Sequence, residues 1–418
     1  MTLKILWNSD RIIGGHSAYS KITYECCTRL AKMGHSVAHI PMGNANMMGE
    51  QVHQGVLVFR SGANVWNEDV IIPRYIDFKA DMVISLKEPW VFNNFYKYAI
   101  NSVPYAIIDH SPVSPQITSR LHTAFKVLVP SRFAQRELRT ANIENVTYIP
   151  HGVRTDIYKP LEGHKEDCKK QWYMEPDDFT VLMVSMNRSR KMNARAFRGY
   201  KRFLELNPDV KSHLMFWGNV SPRSQAGGVS EGAIGLGVSD VGVNLLPEIL
   251  NLDLGKEIVW PDSKMIGEGV PEWSGDNYVS GWDMVKLYNM ADVLLYCTGG
   301  EGFGLPLIEA QSCGVPVVTT DYAAAPEQVG AGLTVKADDY VIINTPGVRR
   351  ALTSIDGMAN ALTKIMNHDQ EKLSKRARRF AMRYDWDRIM ERHFKPFLDE
   401  AEEELKPLLT KKGVGTWA

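Results

Sequence analysis

Two glutamates eight positions apart, Glu301 and Glu309, bracket the run "GGEGFGLPLIEA". Glu301 precedes two glycines that flank Phe303, and Pro306 suits the first turn of a helix that would carry Glu309. Glycines in a strand-to-helix turn let the main chain approach a ligand closely, and the unpaired amides with the helix dipole attract an anion. The turn reads as a phosphate seat. Carboxylates beside a phosphate repel it unless they hold another part of the same ligand. Vicinal hydroxyls are such a part: Glu309, two turns into the helix, can hold a ribose, and Glu301, ahead of the turn, can address a sugar beyond the phosphates. The implied ligand is a nucleotide diphosphate sugar.

A diphosphate also calls for cations. "MNRSRKMNARAFRGYKR" follows the apolar run "FTVLMVS", so Arg188, Arg190 and Lys191 sit at a strand end. Arg188 and Lys191 are favoured as phosphate ligands, whereas Arg195, Arg198, Lys201 and Arg202 recur through the next helix as solvated surface residues do. His110, in "YAIIDHSPVSP", ends a strand, where a histidine is more often a structural hydrogen-bonder than a functional group. Strand alternation points its neighbour Asp109 the other way.

The elements that must position these residues alternate. Short apolar runs interleave with amphipathic stretches of helical period, the pattern of βαβ units and parallel sheets. "LKILWNS", "SVAHIPM", "GVLVFRS", "DMVISL", "YAIID" and "KVLVPS" read as strands of a first unit, with "AYSKITYECCTRLAKMG" and "RFAQRELRTA" as helices. The Gly and Pro of "VTYIPHGVRTDIYKP" suit a linker. "FTVLMVSM", "HLMFWGN", "EIVWP", "DVLLYCT" and "VPVVTTD" are strands of a second unit, with helices at "NARAFRGYKRFLEL" and "GWDMVKLYNMA". The Gly- and Ser-rich run 219–239 reads as a surface insertion, and "DWDRIMERHFKPFLDEAEEELKPLL" as a long helix broken near Pro396. Two such units leave a cleft between the carboxyl ends of their strands, where α/β sheets bind ligands.

The 418 residues suit two ordinary domains. Lys plus Arg equals Asp plus Glu at 48 each, so no overall field selects nucleic acid or an anionic membrane. "MTLKILWNSDRI" lacks the apolar core and cleavage site of a signal peptide, no run reaches the roughly 18 apolar residues of a membrane span, and a cytoplasmic protein is expected. Five scattered cysteines show no metal-ligand spacing and fit reduced thiols, Cys313 as core.

"EGFGLPLIEA", with its flanks from "LYNMADVLLYCTGG" to "TDYAAAPEQVG", resembles the E-x7-E donor site of the retaining GT-B glycosyltransferases of family 4. "PSRFAQRELRTANIENVTYIPHGVRTDIYKP" is similar to that family's interdomain passage, and "GGHSAYSKITYECCTRLAKMGHSV" to its first glycine loop and helix. The resemblance implies two Rossmann-like doubly wound domains facing across a cleft. An acceptor domain would span 1–160, a sugar-donor domain 161–384, and a helical segment 385–418 would cross back onto the first. Glu309 would bind the ribose, Glu301 would lie against the transferred sugar, and the amides of Gly302, Phe303, Gly304 and Leu305 would contact the phosphates. Arg188 and Lys191 match the family's basic pair, which takes the place of a metal; their spacing is shorter than in many relatives, so Arg190 is the alternative partner of Lys191. Gly15, with Gly14, would approach the phosphates or the acceptor, and His110 would face the sugar. His16 and His151 are lesser candidates, near the acceptor and in the linker respectively, and Glu327 is expected to cap the helix after Pro326.

The expected reaction is metal-independent, front-side transfer with retention and needs no cofactor, because no carboxylate other than Glu301 is marked as a nucleophile and no DxD-like motif precedes the donor site. Domain closure would complete the site. A sugar, a lipid-linked group or a small molecule is the expected acceptor, ahead of nucleic acid, since charge signs mix on the first domain. An epimerase, a phosphorylase lacking its pyridoxal lysine motif, and a non-catalytic binding protein are the other readings. "EPWVFNNFYKYAI" (88–100) is read as core, with an interfacial membrane patch as its alternative.

Overall fold

A computed structural model describes residues 2–12, 17–43, 49–172, 174–221, 242–259, 284–343 and 347–412. Two sheets carry the architecture. The first uses β1 (Lys4–Ser9), β2 (Ser36–Pro41), β3 (Gln51–His53), β4 (Val56–Val58), β5 (Met82–Leu86), β6 (Ser102–Tyr105), β7 (Val127–Val129) and β8 (Val146–Tyr148), in the order β3-β4-β2-β1-β5-β6-β7-β8. Every pair is parallel except β3 with β4. The second uses β9 (Phe179–Val184), β10 (Ser212–Trp217), β11 (Ile258–Val259), β12 (Val293–Tyr296), β13 (Val317–Thr320) and β14 (Gly332–Val335), all parallel, in the order β11-β10-β9-β12-β13-β14. In both, strand order reverses beside the first strand of the sheet, so crossovers cover both faces and the strands can be apolar throughout. An antiparallel hairpin, β15 (Ala337–Ile343) and β16 (Val348–Thr353), follows β14 at once.

The chain passes between the sheets twice, side by side. Val153 N–H donates to Tyr384 O at 2.8 Å, Thr155 Oγ1 to Asp385 Oδ2 at 2.5 Å, and Arg378 to the carbonyls of Thr155 and Tyr158 at 2.9 and 2.7 Å. The C-terminal segment then lies on the first sheet. Phe394, Phe397, Leu398, Ala401 and Leu405 are buried in one core with Ile5, Trp7 and Tyr105, and Lys126 pairs with Glu400 and Glu404 at 2.8 and 2.6 Å. The break in this segment is a π turn, Met390–Phe394, just ahead of Lys395–Lys412. Pro396 has no N–H, and its ring crowds the carbonyl four residues back, so the regular ladder cannot run through it.

One expectation changes. "YAIID" is not a strand: β6 ends at Tyr105, and residues 106–110 leave the sheet. The stretch 88–100 holds two single 3₁₀ turns, Pro89–Val91 and Phe95–Lys97, and buries Val91, Phe92, Phe95 and Tyr96, the core packing expected of it. Glu68 fixes it by accepting from the N–H groups of Asn93, Asn94 and Phe95 at 2.8, 2.6 and 3.0 Å. Of the Gly- and Ser-rich run, residues 222–239 lie outside the described residues, as do Gly14, Gly15 and His16.

Two buried histidines link this packing to pH. His39 Nδ1 donates to Trp7 O at 3.2 Å, and burial lowers its pKa to about 4 against a counteracting effect of that carbonyl. His151, in the first crossing, packs between Tyr105 and Phe303 with ring centroids 5.2 and 5.1 Å away, and burial lowers its pKa to about 3. Unfolded histidine titrates near 6.5, so both contribute stability that is present above that pH and is lost as pH falls below it, by up to about 1.4 kcal/mol per unit each. The denaturation midpoint should therefore drop between pH 7 and 5, less steeply in His151→Phe; equal slopes in the two proteins would refute the contribution of His151.

Candidate active site

β9 and β12 are parallel neighbours, with Val181 opposite Val293, so the turns that follow them meet at one edge of the sheet. The turn after β9 is a 3₁₀ turn, Ser189–Lys191, and the turn after β12 carries Gly299 to Gly304. They are stitched by Gly299 N–H donating to Arg190 O at 2.8 Å. Across that stitch, Lys191 Nζ lies 2.6 Å from Glu301 Oε1, and Arg190 donates to the same oxygen at 3.0 Å. Lys191 also donates to Tyr296 OH at 2.6 Å. Glu301 is 6% exposed, so two cations converge on one carboxylate with little water present.

The charges answer to this geometry. Burial works against ionised Glu301, but Lys191 and Arg190 outweigh it and hold its pKa below the usual carboxylate range. Burial also lowers Lys191, to about 8, against the pull of Glu301 and with a further push from Arg190. Arg190 goes up, because Glu301 and Asp109 overcome its desolvation.

Glu309 is placed on the helix Leu305–Ser312, opened by Gly304 with Pro306 in its first turn. Tyr288 OH donates to its Oε2 at 2.8 Å, and Lys21, from the first unit, reaches Oε1 at 3.3 Å. Between the glutamates stand the amides of Gly302, Phe303, Gly304 and Leu305, ahead of a helix whose first-turn N–H groups have no acceptor within the helix. The glycine turn presses on the first unit. A Cβ on Gly302 would sit 2.3 Å from Ile107 Cγ2, and one on Gly300, which holds φ +149°, would sit 2.3 Å from Asp109 O.

Arg188 stands one residue before the 3₁₀ turn, half-buried; its carbonyl accepts Lys191 N–H at 2.9 Å. The second ion pair to Glu301 comes from Arg190, the alternative to Arg188; the Arg190 carbonyl accepts Gly299 N–H beside the acidic turn. The helix cations Arg195, Arg198 and Arg202 pair with Asp338, Glu248 and Asp356. His110 is 3% exposed with both ring nitrogens engaged. Its Nε2 accepts from Ser114 N–H at 3.3 Å, so Nδ1 carries the proton it donates to Asp109 Oδ1 at 2.8 Å. Asp109 is not turned away. Since β6 ends four residues earlier, alternation does not govern it, and Arg350 binds its Oδ2 at 2.9 Å and its carbonyl at 3.1 Å. Arg350, His110 and Arg190 outweigh its desolvation and hold its carboxyl well below the usual range. Glu327 caps a helix of the other unit: it accepts from the N–H groups of Arg132 and Phe133 at 2.8 and 2.5 Å, at the start of Arg132–Thr140.

Sequence reasoning missed Lys21, Tyr288, Tyr296 and Arg350. Tyr296 stands in the strand that delivers Glu301, and Lys21 follows the first glycine loop, so position alone could have flagged both; Arg350 carries no such signal.

Residues 277–380 match the family model of glycosyl transferases group 1. The O-antigen chain mannosyltransferase B of Escherichia coli is 48% identical over 68 residues, 16% of this chain and 18% of that relative. The D-inositol 3-phosphate glycosyltransferase of Actinosynnema mirum is 24% identical over 260 residues, 61% of this chain and 52% of that relative. The chain thus spans at most about half the length of these relatives. A glycosyltransferase structure from Rickettsia africae superposes with TM-score 0.66 at 16% identity, covering 97% of this chain and 99% of that one. Anabaena HepE in complex with UDP-glucose gives 0.64 at 15%, covering 95% and 100%. The fold is GT-B.

Contact between the glycine turn and Ile107 is testable without substrate. Gly302→Ala should lower the thermal midpoint by the equivalent of about 1–3 kcal/mol, the usual cost of overpacking, and Ile107→Ala should offset part of the loss when combined with it. Additive losses would show that the two residues do not meet.

Proposed function

We propose that the protein is a retaining glycosyltransferase that moves a sugar from a nucleotide diphosphate sugar to an acceptor hydroxyl without a metal. The observation that carries this is the spacing of charge along one turn: Glu309 at one end, the main-chain amides of Gly302 to Leu305 between, and Glu301 with Arg190 and Lys191 at the other. Glu309 accepts the ribose hydroxyls, the amides of Gly302 to Leu305 take the phosphates, and Glu301 takes hydroxyls of the transferred sugar. Arg190 and Lys191, with Arg188 one residue ahead of their turn, stabilise the leaving diphosphate. The bond between the anomeric carbon and the phosphate oxygen breaks, the diphosphate oxygen takes the acceptor proton, and the acceptor oxygen bonds to the same face. His110 acts through Asp109, since neither of its ring nitrogens is open to a sugar. Gly15 is assigned to the phosphates or the acceptor by resemblance alone. The acceptor is a sugar, a lipid-linked group or a small molecule, and the reaction belongs in the cytoplasm.

UDP-, GDP- and ADP-sugars should be screened for thermal stabilisation and turnover, with and without EDTA. One of them should raise the midpoint and be consumed at an unchanged rate in EDTA, with retention at the anomeric carbon by NMR. Glu309→Gln should bind it roughly tenfold or more weakly, the effect of losing about 1.4 kcal/mol or more from a charged acceptor of two hydroxyls. Binding by no nucleotide sugar, or equal binding by the variant, refutes the site; an inverted product refutes the mechanism.

Lys191 gives a separate test by pH. Its charge is needed on the leaving side and is lost as pH rises through about 8, so kcat/KM, which reports the free enzyme, should fall on that basic limb. Lys191→Arg keeps the charge at every accessible pH and should abolish the limb even if it lowers the rate.

A further inference from the structure

We propose that Arg350, carried on the β15–β16 hairpin, is a positioning residue: it clamps the loop 106–111 of the first unit against the glycine turn of the second and so assembles the two halves of the site. Its kinetic consequence rests on the glycosyltransferase reading; the clamp itself does not.

The hairpin is anchored in the second unit. Ser354 N–H donates to Lys336 O at 2.9 Å across its base, Thr353 Oγ1 meets Thr320 Oγ1 at 2.7 Å, and Arg195 holds Thr353 O at 2.5 Å and Asp338 at 2.8 Å. Its second strand lies along the glycine turn, with Ala351 N–H donating to Gly299 O at 3.0 Å. From that strand Arg349 is exposed, whereas Arg350, 6% exposed, crosses to the first unit and binds both the carboxylate and the carbonyl of Asp109. Tyr322 adds a second crossing. Its hydroxyl accepts Ser111 N–H at 3.0 Å and lies 3.3 Å from Ser111 O and 3.2 Å from Arg349 O, while its ring packs on Tyr340 of the hairpin with centroids 5.4 Å apart.

Two further observations point to positioning beyond simple adhesion. The Nε of Arg350 is buried without a hydrogen-bond partner among the described residues. A buried ion pair with an unmade donor is a poor way to join two surfaces, because apolar residues of similar volume do it as well or better. What an apolar pair could not do is hold a carboxylate at this point. Asp109 is the middle of an alternating row: Arg350, Asp109, Arg190, Glu301, with His110 fixed to Asp109 from behind. Close approach at Gly299 and Gly300 fits the same picture, since a Cβ there would lie 3.0 Å from Arg350 Cβ and 3.2 Å from its NH1 respectively. The row fixes where Arg190 stands relative to Glu301 before any ligand arrives.

The test uses the full chain with Arg350→Met, Arg350→Lys, Asp109→Asn and the Met–Asn double variant, each checked for its thermal midpoint. In the ligand-free protein, amide hydrogen exchange at 106–114 and 299–303 should rise at least severalfold in Arg350→Met, be largely restored in Arg350→Lys, and rise no further in the double variant. With the nucleotide sugar that the wild type consumes, kcat should fall tenfold or more in Arg350→Met while KM for that sugar changes less than threefold, and Arg350→Lys should recover part of kcat. Unchanged exchange at 106–114 overturns the clamp, and so does additivity of the two substitutions. Raised exchange with unchanged kcat overturns the positioning role and leaves only adhesion. If the wild type consumes none of the sugars, the glycosyltransferase assignment fails, and the exchange measurements still decide the clamp.

Discussion

Charge buried where two sheets meet must be neutralised on the spot, and that requirement organises the centre of this molecule. Glu301 is nearly inaccessible, and alone its carboxylate would protonate or drag water into the joint. Arg190 and Lys191 from the neighbouring strand end keep it ionised, and Asp109 from the other unit adds a second anion that Arg350 balances. The groups come from four places: Glu301 from the turn after β12, Arg190 and Lys191 from the turn after β9, Asp109 from the loop after β6, and Arg350 from β16. The turns therefore cannot be placed independently, and the short loops at the carboxyl ends of β6, β9 and β12, together with the hairpin, hold one another in register.

Parallel strands make this convergence cheap to encode. Once β9 and β12 are adjacent and run the same way, whatever follows them arrives at the same edge, and only the turn geometry remains to be chosen. Glycine sets that geometry here because the first unit comes so close: Ile107 and the main chain of Asp109 occupy the space that side chains at 302 and 300 would need. The C-terminal segment completes the frame by a different route. It crosses beside the linker and buries Phe394 and Phe397 against the first sheet, so that the two units are joined by two strands of chain and a shared core.

Most of that frame was legible in the sequence, because its signals are local. Strands of both sheets show as apolar runs, Asn193–Leu206 as a helix with the boundaries its period suggests, and the break near Pro396 as a missing donor. Glu301 and Glu309 were legible for the same reason, since the turn between them is continuous in sequence. What stayed hidden is non-local. Arg350 lies in a strand whose neighbours alternate too weakly to mark a buried face, and its partner is 241 positions away. Arg190 was set against Arg188 as an alternative; the main-chain hydrogen bond from Gly299 that holds Arg190 beside Glu301 is a contact no spacing rule contains.

Asp109 shows how a local rule fails at a functional edge. Alternation along a strand predicts opposite faces for Asp109 and His110, and it would hold if the strand ran through them. The sheet releases the chain at Tyr105, after its pairing with Leu128, so the next residues are free to take whatever conformation their partners select. Those partners are a cation from the other unit and the adjacent imidazole, and both pull the carboxylate toward the joint. His110 and Asp109 consequently act as one unit: Ser114 fixes the tautomer, the tautomer directs a proton to Asp109, and the carboxylate so held faces Arg190 electrostatically. In this arrangement His110 supports the carboxylate that pairs with Arg350, and the local rule that would have sent the two side chains apart gives way to partners distant in sequence.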